Sequence, residues 1–162
     1  MKFLNKLGSA GLVATLLLVV SSNSAFATDP SCSDCDGKID TMIMRYDGTS
    51  GAFVEVNATK GKRRSASVFA GSLSTGQQFV LSGAENYLDR KGTLGPTITI
   101  RVDGVTIGTL HTSCSQPIGP GTILGDFVVI AATSRNGGLT CPVGPIPDPP
   151  CNPRDPSCTG SG

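Results

Sequence analysis

Apolar and polar residues alternate along most of this chain, in runs too short for helices. Ile39–Tyr46 sets Ile39, Ile43 and Arg45 against Met42, Met44 and Tyr46, the period of two expected of a strand. Ala52–Ala58 continues the pattern, with Phe53 opposed to Val54 and Val56. Arg64–Phe69 sets Ala66 and Val68 against Ser67 and Phe69, and Gln77–Leu81 reads as a fourth strand. Between them lie turns at Asp47-Gly48-Thr49-Ser50-Gly51, Lys60-Gly61-Lys62 and Gly71–Gly76. Ser82–Pro96 is irregular, a loop with room for one helical turn. Thr97–Val102 and Val105–His111 flank Asp103-Gly104, and Asp-Gly between alternating runs predicts a two-residue type I′ hairpin. Ile98, Ile100 and Val102 are expected to share a face with Val105 and Ile107. Ser113–Gly121 is a loop. Asp126–Thr133 is nearly all apolar and β-branched, as in a strand buried on both faces. Asn136-Gly137-Gly138 then turns the chain toward Cys141.

The two ends depart from this rhythm. Lys2 and Lys6 precede an apolar run over 12–20, and a polar stretch leads to Ala25-Phe26-Ala27. A positive start, a short apolar core and an A-x-A site read as a secretory signal over residues 1–27. The run is far below the ~20 residues of a membrane span. From Pro142 the last 21 residues hold seven prolines and two large aliphatics, Val143 and Ile146. This segment, 142–162, is expected to be extended and disordered, carrying no core. Residues 28–141 are then one domain: an all-β, single antiparallel β-sandwich, Ig-like in architecture, of about seven or eight strands.

Composition narrows the function. Without Lys2 and Lys6, 11 basic residues stand against 12 acidic ones, giving no general attraction to nucleic acid or to an anionic membrane. Trp is absent and Tyr numbers two, which counts against stacking sites for sugars or single strands. All six cysteines follow the cleavage site, so they fold where thiols oxidise and are read as staples. The expected destination is the cell surface, the extracellular space or the periplasm.

The candidate chemistry is sparse. Cys32 and Cys35 have redox C-x-x-C spacing, but such a motif opens a helix in a βαβ unit, and here a strand follows. Stapling to Cys114 and Cys141 is the expected role, with the pairing open; Cys151 and Cys158 are expected to close a local loop in the tail. His111, the single histidine, sits at a strand end without a G-x-S-x-G elbow. Asp34, Asp36 and Asp40 are candidate calcium ligands, joined by Asp47, Glu85 or Asp89, though Asp also serves turns. Lys60, Lys62, Arg63 and Arg64 are a candidate patch for acidic glycans, or guards of a strand edge.

Leu110-His111-Thr112-Ser113-Cys114-Ser115-Gln116-Pro117-Ile118, Gly125-Asp126-Phe127 and Asn136-Gly137-Gly138-Leu139-Thr140-Cys141 carry a resemblance, as does Cys32-x-x-Cys35-Asp36-Gly37-Lys38 before Tyr46-x-Gly48. Over residues 32–141 the chain resembles an uncharacterised domain of exported bacterial surface-type proteins. The resemblance implies a secreted, β-rich module with Cys32, Cys35, Cys114 and Cys141 paired among themselves, and no catalytic residues. The expectation is a non-enzymatic secreted or cell-surface module for adhesion or matrix interaction, its partner a surface or matrix component. A calcium- or acidic-glycan-binding module and an exported thiol-disulfide redox protein are the alternatives.

Overall fold

The β-branched, alternating runs form strands wherever the sequence alternates, because each can bury one face against a second sheet. The computed structural model describes residues 32–60, 64–85 and 91–151. The expected signal segment 1–27 and residues 152–162 lie outside them. Nine strands follow in order: β1 (Ile39–Tyr46), β2 (Ala52–Lys60), β3 (Arg64–Leu73), β4 (Gln77–Ser82), β5 (Thr97–Val102), β6 (Val105–His111), β7 (Ile123–Leu124), β8 (Phe127–Ser134) and β9 (Gly138–Leu139). The two shortest, β7 and β9, are ones the hydrophobic pattern does not mark. Both line the same edge of β8.

The first sheet runs β4-β1-β8-β7, with β9 also on β8; the second runs β3-β2-β5-β6. All strand pairs are antiparallel. The chain crosses between sheets after β1, β3, β4 and β6, giving the expected all-β, disulfide-stapled sandwich. The first long strand lies beside the last long one, an order unlike the immunoglobulin A-B-E-D sheet. Among the described residues no helix is long and apolar enough to cross a membrane.

The core forms between the inner faces: Met42, Met44 and Leu81 from the first sheet meet Val54, Val56 and Ile100 from the second. An aromatic row crosses it. Ring centroids are 4.6 Å apart for Phe69–Phe79, 6.2 Å for Phe79–Phe127 and 5.0 Å for Phe127–Tyr46. At one end the sheets are tied by backbone bonds from Ile39 N to Thr112 O, from Thr112 N to Pro96 O and from Leu94 N to Ile39 O, each 2.9 Å. The buried Thr112 hydroxyl adds a bond to Gly95 O.

Four register shifts correct the faces read from alternation. On β1, Ile39 pairs Ser134 and Thr41 pairs Thr133, so Asp40 is extra and Ile39 turns into the core. Val68 is extra on β3, because Val56 pairs Phe69 and Asn57 pairs Ser67, and Phe69 swings to the inner side. Ile130 is extra on β8. On β6, Ile100 pairs Gly108 and Arg101 pairs Thr106. Ile107 is therefore the extra residue, and Leu110 rather than Val105 or Ile107 fills the core. A bulge adds one residue and so reverses the parity of everything beyond it. The Asp103-Gly104 turn forms as expected, with φ of 48° and 80°.

Candidate functional site

The cysteine lead-in does not dangle. Ser33 forms a parallel bridge with Thr140, donating its N–H to Leu139 O at 2.9 Å and accepting from Cys141 N at 3.0 Å. Farther along, Arg135 N donates to Lys38 O at 2.9 Å, and the Ser33 hydroxyl bonds Gly137 O. This strip brings Cys32 to Cys141 and Cys35 to Cys114, with Cα separations of 4.9 and 5.3 Å. Cys32 and Cys35 are thus tied to separate partners rather than to each other. Cys114 sits at a φ of 58°, a conformation uncommon for a residue with a side chain.

The two bridges wall a groove of about 550 Å³. Ile118, Pro142 and Val143 give it an apolar lining, and Asp34, Ser115 and Gln116 supply the polar rim. It is an open trough suited to a side chain or a short peptide segment. His111 is exposed at the end of β6 and does not line it.

The other candidate residues are scattered. Asp34 and Asp36 are exposed, while Asp40 accepts a hydrogen bond from the Thr133 hydroxyl. Among the described residues no three His, Cys, Asp or Glu side chains are placed to hold a metal ion. Lys62 and Arg63 lie outside the described residues. Lys60 and Arg64 are opposite each other at the ends of β2 and β3. Cys158 and Asp89 also lie outside, and Cys151 is paired with no described cysteine.

Sequence reasoning treats Arg45 as a strand-face residue and Asp47 as a turn or ligand residue; the structure joins them. Arg45 is 5% exposed. Its Nε donates to Asp47 Oδ1 at 2.7 Å and its Nη2 to Asp47 Oδ2 at 2.8 Å, a fork-on-carboxylate pair. The same Nη2 donates to the carbonyl of Pro147 at 2.7 Å. Asp47 raises the guanidinium pKa above its ordinary value, first through the hydrogen bond; desolvation opposes it, and Asp148 adds a smaller favourable charge. The i, i+2 spacing at the end of β1 was the legible signal; the contact with Pro147, 102 residues away, was not.

Next to this pair, Tyr46 is buried under Gly48, where an added methyl would lie 2.7 Å from Asp126 Oδ2 and closer still to the phenol oxygen. Burial raises the Tyr46 pKa, with smaller contributions from Asp126 and Asp103; a backbone hydrogen bond at Thr49 opposes them. A raised folded-state pKa stabilises fully below the unfolded value of about 10 and is lost as pH rises through the folded one. Chemical-denaturant midpoints are expected to fall above about pH 10, and Tyr46→Phe to fall less steeply. Parallel slopes for the two proteins would refute this origin.

No curated protein and no solved structure matches the chain. A family model described as a Domain of unknown function (DUF7467) matches residues 23–132. The match takes in Cys32, Cys35 and Cys114 and stops within β8, leaving Asn136–Cys141 beyond it. It spans about two thirds of the sequence, and the chain belongs to that family of uncharacterised domains.

Proposed function

We propose that this domain is a non-enzymatic interaction module outside the cell, of the adhesion or matrix type. The observation that carries the reading is the open side between β6 and β7. Val105 and Ile107 are 65% and 41% exposed on β6, an edge strand that holds no Lys, Arg, Asp, Glu or Pro. Proteins that must remain solitary usually blunt such edges with charge or proline, and clustered exposed apolar residues mark contact surfaces. The two disulfides suit an oxidising compartment outside the cytoplasm, where a small sandwich must hold its shape unaided.

Lysine at Ile107 tests the reading, since it places a charge on the edge at an exposed side chain. The wild-type chain is expected to stay with the washed surface of cells that export it. Ile107→Lys is expected to shift to the medium at least several-fold, with its melting temperature within a few degrees. Equal partition of the two proteins would overturn the proposal.

A further inference from the structure

The Pro-rich segment expected to run free from Pro142 is held at two places over its described part. Val143 N donates to Pro120 O at 2.8 Å and Gly144 N to the same carbonyl at 3.5 Å. Five residues after Val143 the chain reaches Asp148, whose charge acts on Arg45, just past the Pro147 carbonyl that Arg45 binds. Gly121 makes room at the root of this strap. Its φ is 86°, and the backbone of Gly144 occupies the place a side chain would take.

The surface beneath the strap differs from the core. Val128 pairs with Arg45 across the β1–β8 ladder, so both point to the outer face of the first sheet. That face has no second sheet over it, yet Val128 is 3% exposed and lies outside the core cluster. Beside it Arg45, its ladder partner, carries the hydrogen bond to Pro147 that seats the strap on this side of the sheet. Of residues 142–150, five are prolines, which lack N–H groups and keep their carbonyls free as acceptors. An extended proline-rich segment is already stiff and loses little freedom on docking. A buried arginine that still has a donor to give after binding Asp47 is matched to such a carbonyl. Meanwhile Val143 and Ile146 stay 48% and 42% exposed, so the strap is seated without being sealed in.

We infer that the outer face of the first sheet is a recognition site for extended proline-rich segments. Residues 142–150 are its resident, displaceable occupant, and the ligand is a proline-rich segment of another chain. The strap acts as a tethered competitor at an effective concentration of about millimolar, so an outside segment binds well only when the strap is loosened. This inference is independent of the β6 edge.

The test uses the full chain and a fluorescent synthetic peptide of residues 142–150 as probe. Replacing Pro145, Pro147, Pro149 and Pro150 by glycine loosens the resident strap while leaving Arg45 and Val128 in place. Peptide affinity, read by fluorescence polarisation, is expected to rise at least 10-fold over wild type in that variant. It is expected to drop at least 10-fold again when Arg45→Met and Asp47→Leu are added together. Removing both charges avoids an unpaired buried one. If that protein does not fold, Arg45→Lys gives the same readout, because a point ammonium on a flexible stem does not reproduce the planar fork that meets both Asp47 oxygens and the Pro147 carbonyl at once. Absence of binding to the loosened chain at millimolar peptide overturns the inference, and so does binding indifferent to Arg45.

Discussion

Serine at both Cys32 and Cys141 is expected to lower the melting temperature by about 10–20 °C under non-reducing conditions. The bridge spans 109 residues, and restricting a loop of that size in the unfolded chain is worth roughly 4–5 kcal/mol in the chain-entropy account. For a domain of this size each kcal/mol moves the midpoint by about 2–5 °C. The loss extends beyond entropy, because Cys32 and Cys141 flank the Ser33–Thr140 bridge that lays the lead-in along the sheet. Scanning calorimetry of the double variant checks the magnitude. A drop below about 3 °C would show that the hydrogen bonds from Ser33 and Cys141 hold this strip without the covalent tie. The bridge from Cys35 to Cys114, 79 residues apart, should cost slightly less to remove, since the entropy rises only with the logarithm of loop length. Before reduction, Cys32, Cys35, Cys114 and Cys141 are all expected to resist alkylation; a labelled Cys32 or Cys35 would restore the redox alternative.

Phe127→Ala is the single substitution expected to cost most in the core, about 3–5 kcal/mol. Phe127 is fully buried and sits between Tyr46 and Phe79 in the aromatic row. Its removal leaves a cavity bordered by two rings that lose their neighbour, and each such ring pair contributes roughly 0.5–1.5 kcal/mol beyond its buried area. Because small domains have only about 5–15 kcal/mol in total, this variant should be close to unfolding at 37 °C. Urea titration of Phe127→Ala and Phe127→Leu separates the causes. The leucine variant is expected to lose less than half as much, with the same dependence on denaturant. Equal losses would mean that ring contacts, not volume, dominate here.

The family assignment leaves function to the geometry of this chain, and its two informative surfaces differ in how they arise. The β6 edge follows from local chemistry: seven residues without a charge beside an Asp-Gly turn. The Arg45 cradle depends on chain segments about a hundred residues apart, and the strap that fills it comes from a proline-rich stretch that composition alone marks as unfolded. Proline does deprive a segment of sheet hydrogen bonds, but it leaves the carbonyls available to a donor supplied by the fold.

Much of the architecture was legible because it follows from short-range rules. Alternation marked the earlier long strands and a continuous apolar, β-branched run marked β8; Asp103-Gly104 marked its hairpin because both positions need positive φ; and cysteines placed after an expected export signal were read as staples. The tertiary structure alone decided the rest. Alternation predicts Ile39 facing away from the core and Ile107 facing into it, and bulges at Asp40 and Ile107 reverse both, since one extra residue changes side-chain parity and nothing in the local sequence requires it. The choice of Cys141 for Cys32 and Cys114 for Cys35 depends on which loops the strand order brings to one end. Burial of Arg45 depends on a partner 102 residues away. Local propensity is fixed by neighbours in sequence, whereas register, pairing and burial are fixed by neighbours in space, and those exist only once the two sheets have closed on each other.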